Sequence, residues 1–166
     1  MKALLFTFFF SLGSVLADNQ IPNRLIDYKE FQKIVAASAA ERESHRLTEA
    51  EFIKAMADRS AVLLDARSAS KYELRHIRGA VNLPFTDFTA ETLAKVIRAK
   101  GNKILIYCNN NFEGSPVSFA SKAPSASLNI STYTSLRSYG YINIFELGPL
   151  LNVHTTAISF AGSEVK

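Results

Sequence analysis

Only one cysteine, Cys108, occurs in the 166 residues. A single thiol makes no intramolecular disulfide, which excludes a disulfide-stapled secreted module. Histidine is nearly as scarce. His45, His76 and His154 stand far apart without metal-ligand spacing, so no metal is expected. Beyond residues 1–17 no run approaches the roughly twenty apolar residues of a membrane-crossing helix, and the mature chain should carry no transmembrane segment. A formal net charge of +4 with no basic block leaves no footprint for nucleic acid. Neither G-x-S-x-G, nor a phosphate loop, nor a dinucleotide fingerprint appears, and no cofactor is expected. Repeats and low-complexity tracts are missing too, while 48% hydrophobic residues argue against disorder.

The amino terminus carries Lys2, an apolar run from Ala3 to Phe10, and small residues ending at Ala17. Val15 and Ala17 occupy the −3 and −1 places of an A-x-A-like cut before Asp18. Residues 1–17 therefore read as a secretory signal peptide, whose apolar core is too short to span a bilayer. Its removal near Ala17 implies a periplasmic or secreted protein. The rest divides into a helical extension over 18–46, an α/β domain over 47–153, and a tail over 154–166 that is either a strand or loose.

Helical spacing of Tyr28, Phe31, Ile34 and Val35 predicts a first helix from Asp27 to Arg42. Thr48 and Glu51 form a capping box for a second, with Phe52, Ile53 and Met56 as its apolar stripe. Ala61-Val62-Leu63-Leu64, closed by Asp65, suits a strand buried on both faces of a parallel sheet. Ala80 to Leu83 is another short strand, stopped by Pro84. Thr89 caps a helix that should end at Gly101. Lys103 to Tyr107 is the clearest strand, with Cys108 at its carboxyl end. Ser115 and Pro116 open a short helix terminated by Pro124, Ser131 or Thr132 opens another, and Tyr141 to Phe145 is the last strand. Strands alternating with helices predict a small α/β domain, a mainly parallel sheet with helices on both faces.

In such sheets ligands bind beyond the carboxyl ends of the strands. Inward-pointing loop amides and a following helix terminus favour thiolate over thiol there. Cys108 is therefore either a reactive group or a small core hydrophobe.

Leu63-Leu64-Asp65-Ala66-Arg67, Tyr72, and His76-Ile77-Arg78-Gly79-Ala80-Val81-Asn82-Leu83-Pro84 resemble the D-x-R…E-Y…G-H-I-x-G-A-x-N-I-P signature of rhodanese-homology domains. Ile104-Leu105-Ile106-Tyr107-Cys108 is similar to that family's strand and catalytic cysteine. Tyr139 to Gly148 resembles its G-Y-x-x-V-x-x-L-x-G ending. The resemblance implies a rhodanese-like fold and sulfur transfer, in which a cysteine persulfide passes sulfur from a small donor to a thiol or other acceptor. Carried over, Cys108 is the nucleophile, and Asn109, Asn110, Asn111, Phe112, Glu113 and Gly114 cradle the substrate. Asp65 and Arg67 become a structural ion pair near the site, and His76 a hydrogen-bonding structural residue.

Departures accompany the match. Where simple sulfurtransferases of the family read C-x-x-G-x-R, Asn111 takes the glycine place and Glu113 the arginine place. A carboxylate beside the nucleophile repels thiosulfate and opposes the loop amides. Gly114 stands where the related phosphatases need arginine, which disfavours phosphate-ester hydrolysis. Lys71 and Arg75 replace a glutamate and a glycine. An insertion including Ser115 to Ala123 lengthens the chain between Cys108 and Gly140, and Phe112 and Phe119 are either an apolar lid or ordinary packing. Three readings follow: a sulfurtransferase or thiol-handling protein, a non-catalytic rhodanese-fold module binding a periplasmic protein, and a thiol redox sensor.

Overall fold

The computed structural model describes residue 21 and residues 23–165, so the predicted signal peptide lies outside the described residues. Helix α1 (Tyr28–Ser44) opens on Asp27, whose carboxylate accepts the Glu30 N–H. Its two halves differ. Ser38 is buried and Glu41 pairs with Arg137, whereas Tyr28, Phe31 and Val35 remain exposed, so their helical spacing marks no buried face. Strand β1 (Arg46–Leu47) leads into α2 (Glu49–Met56) through the Thr48–Glu51 capping box. Then come β2 (Val62–Asp65), α3 (Ala69–Leu74), β3 (His76–Ile77) and β4 (Val81–Asn82).

Helix α4 (Ala90–Ile97) is capped by Thr89 and stops before the expected Gly101. Arg98 turns left-handed at φ 69° in a γ-turn closed by Ala99 N–H on Ile97 O at 2.9 Å. The Asn102 amide donates to the same carbonyl at 2.7 Å, so a side chain does the capping expected of glycine. The remaining elements are β5 (Ile104–Tyr107), β6 (Phe112–Glu113), α5 (Leu128–Ser138), β7 (Ile144–Leu147), β8 (Leu151–Asn152) and β9 (Phe160–Ala161).

Five strands form one parallel sheet in the order β1-β7-β5-β2-β4. All four residues of β5 are buried, as its unbroken apolar run requires in a sheet covered on both sides. Alternation along the strands separates two cores. Leu63, Leu105 and Tyr107 face α2 through Phe52, whereas Leu64, Ile104 and Ile106 face α4 and α5 through Leu93, Ile97, Tyr133 and Leu136.

Three local expectations are corrected. Ser115 to Ala123 is no helix beyond the single turn that Phe119 N–H closes on Ser115 O. Its carbonyls are taken instead by side chains: Ser118 O accepts Arg67, Val117 O accepts Lys71, and Ala120 O accepts Asn109. Helix α5 starts at Leu128, ahead of Ser131 and Thr132. Ser/Thr residues sit inside it because Thr134 and Ser138 bond back to the carbonyls four residues before them. Its end is as expected, with Gly140 at φ 81° and Tyr141 N–H reaching Leu136 O at 3.0 Å. Because Tyr141 belongs to that terminus, β7 is displaced to Ile144–Leu147 and takes Glu146 into the sheet.

The carboxyl-terminal tail is packed. β9 pairs antiparallel with β3, Ile158 and Phe160 are buried, and Glu164 accepts the hydroxyls of Ser115 and Ser118.

Candidate active site

Cys108 follows the central strand β5 and, by alternation, shares the face of Ile106. Ile106 is in register with Glu146 of β7. Cys108 and Glu146 thus open on one side, where they line a cavity of about 280 Å³ with Arg42, Arg46, Asn111 and Ser127. The cysteine is only 1% exposed, and the cavity is its outlet.

The chain after Cys108 bends at once into a 3-10 turn, Asn109 to Asn111. Within it the Asn111 N–H donates to Cys108 O at 3.2 Å, and Asn111 Oδ1 accepts the Cys108 N–H at 2.9 Å. The Ser127 hydroxyl lies 3.4 Å from Sγ. Ser127 precedes α5 but caps none of its N–H groups with that hydroxyl, which leaves the group for the sulfur. A hydroxyl from a separate segment of the chain thus reaches Sγ and can steady negative charge there. Asn111 also ties the turn to the sheet: its amide donates to Leu147 O at 2.7 Å, and Asn129 donates to its Oδ1 at 3.1 Å.

Only part of the expected cradle is assembled. Asn110 and Asn111 line the cavity with Cys108; Asn109, Phe112, Glu113 and Gly114 do not. Asn109 turns away to Ala120 O at 2.7 Å. Phe112 is fully buried, its ring 4.7 Å from Phe119 and 5.1 Å from Phe160. Burying a phenylalanine is worth about 1.5–3 kcal/mol, and that pulls Phe112 off the cavity wall into the core. Phe119 packs there too, under the Arg67 guanidinium at 4.4 Å, so neither ring forms a lid. Glu113 is exposed on β6, which pairs with β8, and lies outside the cavity. Gly114 turns at φ 84°, where a Cβ would meet Asn152 Oδ1 at 3.0 Å.

Asp65 and Arg67 form a buried ion pair on the opposite face, with Nη2 to Oδ2 at 2.5 Å and Nε to Oδ1 at 2.9 Å. The Tyr107 hydroxyl donates to Asp65 Oδ2 at 2.5 Å; burial, reinforced by the Asp65 charge, pushes that phenol well above its ordinary range. Arg67 also holds Ser118 O and Arg75 O, so the pair pins the insertion and α3. His76 stacks on Tyr72 at 3.7 Å with Nδ1 2.7 Å from Tyr72 O. Lys71 and Arg75 bind Val117 O and Glu164 O, and neither lines the cavity.

Five polar lining residues escape sequence reasoning: Arg42, Arg46, Ser127, Asn129 and Glu146. Glu146 had a signal, a lone charge inside the apolar strand Ile144–Leu147. It is 1% exposed, with Arg42 Nη2 at 2.7 Å and Arg46 Nε at 3.7 Å from Oε1. Burial raises its carboxyl above the ordinary range despite the opposing pull of Arg42. Among the described residues no group of three His, Cys, Asp or Glu could hold a metal, and no helix is long and apolar enough to cross a membrane.

A rhodanese-like domain family model matches residues 48–147. The chain belongs to that family. Solved structures agree on the rhodanese-like fold. The Alr3790 protein from Anabaena sp. is similar at 19% identity and TM-score 0.50, over 72% of this chain and 94% of that one. The solution structure of the rhodanese-like domain of the same Anabaena protein is similar at 20% identity and TM-score 0.50, over 72% and 80%. No curated protein matches the sequence. In this rhodanese-like chain the strand and turn that carry Cys108 fall inside the matched segment, while Arg42 and Arg46 precede it.

Proposed function

We propose that this rhodanese-like protein is a sulfurtransferase or thiol-handling protein acting through a Cys108 persulfide. The observation that carries the reading is the placing of Cys108 on the wall of a cavity, with the Ser127 hydroxyl 3.4 Å from its Sγ. The thiolate attacks the sulfane sulfur of a donor and a new S–S bond forms. The donor's bond to that sulfur breaks, and its electron pair leaves with the remainder, as sulfite from thiosulfate or as a thiolate from an organic persulfide. A second nucleophile then takes the outer sulfur and returns the Cys108 thiolate. A cavity of about 280 Å³ admits a small donor and sits at the lower limit of pockets for drug-sized ligands.

The binding-module reading draws on Glu113 in the arginine place and on the enlarged loop region; that carboxylate lies outside the cavity. Intact mass after incubation with thiosulfate, or with an organic persulfide, tests the proposal. One added sulfur atom is expected on the protein and none on Cys108→Ser. No gain from either donor would sink it.

A further inference from the structure

Arg42 and Glu146 both line the cavity, and each keeps a buried polar atom without a hydrogen bond. Arg42 Nη2 donates to Glu146 Oε2 at 3.0 Å, yet Arg42 Nε is buried with no partner. Glu146 Oε1 is close to the same nitrogen but outside hydrogen-bond geometry, and it too is buried without a hydrogen bond. Buried groups of this kind are rare in folded proteins and call for an explanation. Arg46 adds a second guanidinium from β1, about half engaged with solvent, bonded to Gly148 O and to Glu43. The lining therefore holds two cations and one carboxylate, with Glu43 outside it pairing Arg46 at 3.2 Å. No such cation comes from the turn after Cys108, where Glu113 stands in the arginine place.

We propose that Arg42, seconded by Arg46, is the anion-holding group of the Cys108 cavity and selects sulfur donors with a negatively charged end. The selection rests on the sulfur-transfer reading above, but the field at Sγ does not. Arg42 is delivered by α1, which packs against α5, the same helix whose leading Ser127 reaches the sulfur. Glu146 holds Arg42 in place and subtracts from its charge. An anion entering the cavity meets the accessible part of the Arg42 side chain, which shares the lining with Cys108. Both thiosulfate and a carboxylate-bearing organic persulfide present that chemistry.

Two alkylating agents that differ in charge read the field directly. The rate of Cys108 alkylation by anionic iodoacetate is divided by that for neutral iodoacetamide. Arg42→Gln should lower the ratio about five-fold or more, Arg42→Lys should largely restore it, and Glu146→Gln should raise it. A ratio that stays within about two-fold across all three variants overturns the assignment. If Arg42→Gln fails to fold, Arg46→Gln carries the test, because its side chain is 42% exposed and its loss is structurally mild. Loading of one sulfur atom from thiosulfate or glutathione persulfide, set against capture of a methyldisulfanyl group from neutral dimethyl trisulfide with methanethiolate leaving, separates the two claims. Loss of loading in Arg42→Gln with either anionic donor, but not with the trisulfide, supports the selection and identifies the donor's source. Equal losses with all three overturn it. No loading of the unsubstituted protein ends the sulfur-transfer reading, and with it the donor selection, while the alkylation ratio still decides whether Arg42 sets the field.

Discussion

Asp65 on β2 and Glu146 on β7 stand on either side of β5, each paired with arginine, and on opposite faces of the sheet. The Asp65 cluster is closed. Its carboxylate takes the Arg67 side chain, the Arg67 N–H and the Tyr107 hydroxyl, and Arg67 distributes its other nitrogens to backbone carbonyls. The Glu146 cluster is open, with an unbonded carboxylate oxygen, an unbonded guanidinium nitrogen and a cavity between it and the thiol. Burial alone does not separate them, since both carboxylates are almost fully covered. What differs is completeness of hydrogen bonding. A saturated ion pair fixes neighbouring chain, whereas an unsaturated one retains capacity for something else.

The largest effect should fall on the closed cluster. Asp65→Ala strands a buried guanidinium and should cost about 3–5 kcal/mol in urea unfolding. Arg42→Gln, from a pair partly open to water and still supported by Arg46, should cost about 1 kcal/mol. Equal costs would erase the distinction. A smaller effect concerns protons. With its folded value raised above 4.5, Glu146 binds more protons in the folded chain than in the unfolded one between those two values. Its contribution to stability therefore falls as pH rises through that window, the reverse of a salt-bridged carboxylate with a depressed value. Urea midpoints from about pH 4 to about pH 7 should show this slope in the protein and a flatter one in Glu146→Gln. An unchanged slope would show that Glu146 ionises normally, which would place it with ordinary surface-type pairs.

The parts of this architecture legible in sequence are those written in short contiguous runs. Leu63 to Asp65 and Ile104 to Cys108 display doubly buried strands, and Thr48 with Glu51 displays a cap, because strand burial and capping are local. The helix expected at Ser115 fails for the converse reason. Its cap and proline signals are present, but Arg67, Lys71 and Asn109 compete for its carbonyls from remote positions. The same remoteness hides the open cluster. Arg42, Glu146 and Ser127 meet only after α1 docks on α5 and β7 slides to include a charge, and no spacing in the chain records that meeting. Phe112 shows the limit of motif transfer: its place in the loop suggests a substrate wall, while its apolar area commits it to the core.

The short β1 edge, Arg46–Leu47, joins α1 to a fold whose family boundaries begin at residue 48. A fragment trimmed to those boundaries would keep the thiol, its turn and Glu146, yet shed both guanidinium groups. Its remaining acid would then confront the sulfur unneutralised, and reagents of opposite sign would exchange their order of preference.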